Sequence, residues 1–303
     1  MISAIKESRG DKLFLAFVYL FLTAALIVVL YPLVYMLSAS VSTPRYVNSG
    51  EMWLLPKGFT LEGFKLVFEN AKIWMGYRNT ILYTVVGTLI NLAVTLPAAY
   101  ALSRNDFFGR QLFMILILVT MFFNGGLVPT YLVVRDLGLI DTMWALILPV
   151  SATVWNIIVA RTFFHSTIPK ELQEAAHIDG CTNLRLFVKI VLPLSAPIIA
   201  VMALFYGVMH WNSYFSALIY LNDENKFPLQ MVLRQILVLQ QMGAETSSGM
   251  LSADMAAVAA SKAELASMVK YAVIIVSTLP IIAIYPFLQR YFVQGVMIGS
   301  VKG

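Results

Sequence analysis

The sequence predicts an all-α membrane protein with six transmembrane helices, and three observations carry that prediction. Of 303 residues, 59% are hydrophobic and 12% charged, at a mean hydropathy of +0.79. A soluble chain carries about 25% charged residues. Six stretches, at 13–44, 79–103, 111–134, 142–160, 190–222 and 271–289, contain no Asp, Glu, Lys or Arg. Each can supply the roughly 20 residues that a helix needs to cross a hydrocarbon core. The charges fall in the connections.

The first stretch exceeds the 7–15 residues, roughly, of a signal-peptide core and reads as an uncleaved helix. Ser38-Ala39-Ser40 resembles a cleavage site, whose use would leave five spans. An even number of spans puts both termini on one side. With the termini inside, 11 of the 21 Lys and Arg and 6 of the 16 acids lie inside, a net charge of +5. The outside then holds 10 of each. Positive charge close to the spans favours this cytoplasmic placement of both ends. The pI near 9.2 therefore reflects topology. No basic run with interleaved aromatics points to nucleic acid. Cys181 is the one cysteine, which excludes an intrachain disulfide and a cysteine-pair metal site.

The expected organisation is a cytoplasmic N-terminus at 1–12, a first transmembrane helix at 13–44 and an extracytoplasmic loop at 45–78. A five-helix core follows at 79–290, carrying a cytoplasmic loop at 161–189 and an extracytoplasmic loop at 223–270; 291–303 form a cytoplasmic tail. In the first loop Thr60 is placed to cap a short helix beginning at Leu61-Glu62. In the loop at 223–270, Leu229, Val232, Leu233 and Ile236 recur at helical spacing. That helix either packs on its own domain or receives an extracytoplasmic partner. Residues 247–261, rich in Ser, Ala and Met, read as a flexible connection.

Pro32, Pro97, Pro129, Pro149, Pro193, Pro197, Pro280 and Pro286 are expected to break helix ladders, which suits a bundle that moves. There is no Gly-rich phosphate loop ending in Gly-Lys-Ser/Thr. His210 is the only titratable imidazole in the six stretches, and no buried acid stands ready as an ion or proton site. No acid–base or metal-ligating cluster suggests an enzyme. The energy for any transport must then come from another chain.

The loop at 161–189 holds the most specific signal. Pro169 suits a first helical position, Glu171 favours the helix N-terminus, and Gly180 suits the left-handed position after a helix end. Taken alone, such a charged helix is a solvated connector or a surface offered to a soluble partner. Glu174-Ala175-Ala176, Ile178-Asp179-Gly180 and Leu192-Pro193-Leu194 with Pro197 resemble the signature loop of binding-protein-dependent ABC importer permeases of type I. Trp211-Asn212, Leu218-Ile219-Tyr220 and the tail from Gln289 to Gly295 and Val301 to Gly303 resemble its carbohydrate branch, the maltose-permease-like proteins. The run from Phe123 to Tyr131 with Gly138-Leu139 resembles a subgroup serving polysaccharide-derived oligosaccharides. The resemblance covers the chain from about Tyr31 onward. Cys181 stands where the family usually has a small residue such as alanine.

The resemblance implies a MetI-like six-helix bundle in a bacterial cytoplasmic membrane. It implies a second, homologous permease subunit, two cytoplasmic ATPase subunits that carry the ATP and Mg, an extracytoplasmic solute-binding protein and a carbohydrate cargo. Leu172, Glu174, Ala175, Ala176, Ile178, Asp179 and Gly180 would then contact the ATPase. Tyr206, His210, Trp211, Asn212 and Tyr214 offer aromatic faces and polar tips to a sugar, or else pack between helices with satisfied hydrogen bonds. The expected function is permease subunit of an oligosaccharide importer, not an enzyme. A stand-alone secondary sugar transporter is the alternative.

Overall fold

In the computed structural model the described residues are 8–246 and 266–284, with 286 and 289. The expected connection at 247–261 and the tail at 291–303 lie outside them. The helices are α1 (Arg9–Ser40), α2 (Pro44–Asn48), α3 (Glu62–Glu69), α4 (Ala71–Ser103), α5 (Arg110–Phe122), α6 (Leu127–Asp136) and α7 (Trp144–Ile147). They continue as α8 (Val154–Thr167), α9 (Lys170–Ile178), α10 (Asn183–Leu186), α11 (Leu192–Leu194), α12 (Ala196–Trp211), α13 (Tyr214–Tyr220), α14 (Leu229–Thr246) and α15 (Ala266–Ile284). Among the described residues there is no strand, only a lone bridge between Ser42 and Phe59.

Three single helices, α1, α4 and α15, are long and apolar enough to cross a membrane. Three bent pairs supply the rest: α5 with α6 at 112°, residues 144–150 with α8 at 52°, and 183–194 with α12 at 84°. The count of up to six matches the six stretches. The breaks do not all fall at proline. Pro32 and Pro97 lie inside uninterrupted helices. The sharpest bend sits at Asn124-Gly125-Gly126, where Gly126 adopts φ +82 and the Asn124 side chain accepts from its N–H. Pro193 and Pro197 do flank the break at Ser195.

The described residues up to 70 and between 235 and 277 form one compact unit. Its α1 opens with a reciprocal cap: Ser8 Oγ accepts from Asp11 N–H, and the Asp11 carboxylate accepts from Ser8 N–H. Its 32 residues extend about 48 Å, more than the roughly 30 Å of hydrocarbon. Residues 19–34 are exposed, whereas Ser38, Ala39 and Ser40 are buried near Met52 and Val47. Helix α3 begins at Glu62, one residue later than expected. Thr60 Oγ1 accepts from Glu62 N–H as an isolated turn contact while Leu61 holds the cap position.

Residues 71–234 and the described residues from 278 onward form the second unit. Here α4 is packed between α8 and α12, around Leu96, Tyr100, Phe164, Phe187, Met202 and Tyr206. It starts at Ala71, two turns earlier than the uncharged stretch at 79–103 suggested. Lys72 and Arg78 ride on its exposed side, so their charge does not interrupt it. Gly76 lets it approach α14 closely: a Cβ there would lie 3.0 Å from the Leu229 Cα. Leu229, Val232 and Leu233 are buried in the process, and Leu229 N–H donates to Thr80 Oγ1. That apolar face is taken by the chain itself and is not available to a partner.

Candidate functional site

At one end of the second unit, α9 forms as its sequence signals require, shifted by one residue. Pro169 is the cap rather than the first helical residue, with extended backbone at ψ 144. Glu171 lies in the first turn, favourable to the helix dipole. Gly180 adopts φ +69 and closes the helix in a Schellman arrangement: its N–H donates to His177 O and the next N–H, of Cys181, to Ala176 O. Half-buried Cys181 packs with Ala176 against the same core, so the apolar contact that accompanies this motif is present.

The residues expected on a docking face divide between two sides of α9. Ala176 is buried and Leu172 packs against the core of the bundle. Ala176 thus meets its own bundle, and its small side chain allows the close approach of α9, while Leu172 is half-buried. Glu174, Ala175, Ile178, Asp179 and Gly180 are exposed. Ile178 is 87% exposed and, beyond the turn, Leu184 is 73% exposed, so apolar surface is presented on the solvent side.

Arg104, which the sequence offered only as a topological charge, holds this end together. It is the one buried charged side chain among the described residues, at 8% exposure. Its guanidinium donates to both carboxylate oxygens of Asp106, to Asn183 Oδ1 at 3.0 Å and to Tyr100 Oη at 3.4 Å. It also meets His177 Nε2 at 3.3 Å. The Asp106 hydrogen bond raises the Arg104 pKa and holds the Asp106 carboxyl below its usual range. Arg161, expected to open the loop, instead lies in α8 and donates from Nε to Leu102 O. A polar cleft of about 210 Å³ lies beside this cluster, lined by Asp106, His165, Lys170, Glu174 and His177 among others.

The residues expected along a sugar path also separate. Tyr206 is fully buried, its hydroxyl 2.7 Å from Thr95 Oγ1 and within reach of Thr153 N–H. His210 is buried with Nε2 2.7 Å from Asn91 Oδ1, and Asn91 donates on to Val150 O. These two are satisfied internal groups. Trp211 is 7% exposed and packs edge-on against Tyr77. Asn212 and Tyr214 alone of the five reach outward: Asn212 is exposed, and Tyr214 is half-buried beneath Arg234. A cleft of about 410 Å³ between α4, α12 and Ile281 and Ile284 is apolar apart from the Thr84 and Thr88 hydroxyls, chemistry that does not suit a sugar.

The end of α4 that carries Asn79 and Tyr83 is closed by ties that sequence reasoning missed. Asp141 stands in the left-handed region at φ 59. Its carboxylate accepts from Asn222 and Asp223 N–H, each at 3.0 Å, and from Lys226 Nζ at 2.6 Å. The Lys226 bond, then those two N–H groups, push the Asp141 pKa down to about 2. Asn79 Nδ2 and Tyr83 Oη donate to backbone carbonyls at Asn225, Phe227 and Lys226. Among the described residues no group of three or more His, Cys, Asp or Glu could hold a metal ion.

Comparison with known proteins places these features. Residues 73–298 match the family described as binding-protein-dependent transport system inner membrane component. The chain is 41% identical over 293 residues to the polygalacturonan/rhamnogalacturonan transport system permease of Bacillus subtilis, covering 97% of this chain and 99% of that one. It is 30% identical over 292 residues to the maltodextrin transport system permease of the same organism, covering 94% and 95%. A chain from the crystal structure of a bacterial ABC transporter that imports the acidic polysaccharide alginate superposes with TM-score 0.83 at 33% identity, covering 95% of this chain and all of that one. With the signature loop folded as a capped helix on a bundle of up to six spans, the chain belongs to the inner membrane permease family of binding-protein-dependent transport systems.

Proposed function

We propose that this chain is one of two permease subunits in an ATP-driven importer for an oligosaccharide, and that α9 is its contact with a separate ATPase subunit. The observation that carries this reading is the two-sided character of α9. Leu172 and Ala176 fix it to the bundle, while Glu174, Ala175 and Ile178 are exposed. An apolar, acid-bearing surface held rigidly on its own domain suits a soluble partner that must push on the membrane helices. Arg104 adds a second attachment, from α9 to the end of α4. Displacement of α9 would therefore move α4 and α8 together.

In this reading α9 and both termini face the cytoplasm, and the end carrying Asp141 and Lys226 faces a solute-binding protein. ATP and Mg reside on the ATPase. The relatives named above carry saccharides according to their names, which supports a saccharide cargo here. The test is reconstitution in proteoliposomes with the second permease, the ATPase and the binding protein. Sugar should accumulate only when ATP and the binding protein are both supplied. Concentrative uptake by this subunit alone, driven by an ion gradient, would overturn the reading in favour of a secondary transporter.

A further inference from the structure

Beyond α1 the chain turns back and holds an apolar tip beside the helix it has just left. Ser42 and Phe59 form the lone bridge, and two bonds flank it: Thr60 N–H donates to Val41 O and Thr43 N–H to Gly58 O, each at 2.9 Å. Lys57 N–H donates to Ser42 Oγ at 3.1 Å. Gly58 adopts φ +64, and a Cβ there would stand 2.5 Å from Thr43 Oγ1. At the tip, Ser38 Oγ of α1 donates to Leu54 O at 2.5 Å. Met52 is buried with Ala39 and Val47. The residues that follow it are not: Trp53 is 75% exposed and Leu55 79%, with Leu54 exposed between them. Folding thus buries one apolar side chain and fixes the next three outside.

The register with α1 gives that tip a depth. Lys12 is the last charge before the apolar run of α1. Between Lys12 and Ser38 the helix rises about 39 Å at roughly 1.5 Å per residue. An ordinary tilt of about 20° leaves about 37 Å of this along the bilayer normal. With Lys12 at one edge of a hydrocarbon core of roughly 30 Å, Ser38 lies a few Å past the other edge. That is the headgroup layer, which brings a whole bilayer to roughly 40–45 Å. Leu54 is tied to Ser38, so the exposed tip occupies that layer. Lys57 is tied one helical turn farther out, at Ser42, whose own hydroxyl donates to Ser38 O. An indole among leucines with a cation beyond them follows the order of upper acyl chain and phosphate at a membrane interface.

We propose that Trp53, Leu54 and Leu55 are an interfacial anchor that enters the lipid headgroup layer at the C-terminal end of α1, with the Lys57 ammonium at lipid phosphates. The occupant of this surface is the bilayer, because the tip is bonded to the spanning helix itself. A soluble partner would have to reach below the phosphates to cover it. The apolar run of α1 is longer than the hydrocarbon core, so it does not by itself set the depth of the helix; the anchor does. The proposal depends on α1 crossing the membrane and not on the cargo or the ATPase contact.

The experiment uses the complete transporter in proteoliposomes with two photoactivatable phosphatidylcholines. One carries its diazirine in the headgroup and the other at the end of an acyl chain. Mass spectrometry of the peptide containing Trp53 to Lys57 should find adducts from the headgroup probe and few from the chain-end probe. Leu55→Asp should lose most of these adducts, and Trp53→Tyr, which keeps an interfacial aromatic, should retain them. Both side chains are exposed, so neither change should disturb folding. Should Leu55→Asp fail to insert, the two-probe pattern of the wild type still decides. Saturating solute-binding protein should leave the yield unchanged. Absence of adducts, adducts from the chain-end probe alone, or equal yields in Leu55→Asp and wild type would each overturn the proposal. Protection of the peptide by the binding protein, with crosslinks between the two, would make the tip a protein contact instead.

Discussion

The Arg104 guanidinium lies 3.3 Å from His177 Nε2 and so joins the end of α4 to the last turn of α9. A guanidinium has no acceptor, so His177 Nε2 accepts and the imidazole proton sits on Nδ1. Arg104→Ala removes this bond together with those to Asn183, Tyr100 and Asp106, and should cost about 2 kcal/mol or more. Arg104→Lys keeps the charge but loses the fork and should recover little. Thermal unfolding of the purified subunit reads the first effect. In the assembled transporter both variants should hydrolyse ATP with weakened response to the binding protein.

A second prediction concerns the α4–α12 contact. A Cβ on Gly87 would lie 2.5 Å from His210 Nε2, the atom bonded to Asn91. Gly87→Ala should therefore displace the imidazole and destabilise the bundle by about 1–3 kcal/mol, as overpacking does. His210→Ala makes room, so the double variant should be less destabilised than the sum of the two singles. Additive losses in unfolding measurements would show that Gly87 and His210 do not act on each other.

Gly180 tests the backbone alone. At φ +69 nothing lies within 4 Å of the position where a Cβ would stand, so a substitution meets strain but no clash. Gly180→Ala should cost about 1–2 kcal/mol and Gly180→Val more. Gly180→Asn should cost least, because its side chain tolerates the left-handed region. That ranking should appear in ATPase co-purification, with membrane insertion unchanged.

Asp141 predicts a pH dependence. Its pKa lies near 2 in the folded chain against an ordinary 3.8, so its contribution is present above the ordinary value and is lost as pH falls towards 2. The tie between its loop and Lys226 should thus be constant from about pH 5 to 8. Asp141→Asn keeps a left-handed residue and an acceptor for the Asn222 and Asp223 N–H groups, and should remove the acid-sensitive component of thermal stability. Asp141→Ala loses all three bonds at positive φ and should be the less stable of the two across the range.

Local signals made part of this structure legible in sequence. Glu171 and Gly180 mark the ends of α9 because helix-end chemistry is decided within one turn. The apolar spacing of Leu229, Val232 and Leu233 likewise marks the buried side of α14. The sidedness of α9 was not legible. Leu172 and Ala176 are apolar whether they meet a partner or their own bundle, and only packing decides. The same ambiguity surrounds Tyr206 and His210, whose polar tips are satisfied by Thr95 and Asn91 on α4. The start of α4 was hidden because Lys72 and Arg78 look like loop charges until their exposed positions are known. Arg104 stood in plain view beside Asp106, but its reach to His177 and Asn183 spans 73 and 79 residues of sequence.

The measurement that bears most directly on the account is ATPase co-purification with this subunit, combined with binding-protein-stimulated hydrolysis, in Glu174→Ala and Ile178→Asp variants. Both residues are exposed, so neither change should disturb insertion or folding. Loss of one partner from an interfacial charge pair costs about 2–5 kcal/mol, enough to weaken a subunit contact measurably. Normal insertion, reduced co-purification and loss of stimulated hydrolysis are expected in both variants. Wild-type values for both readouts in both variants would contradict this expectation and leave α9 a solvated connector.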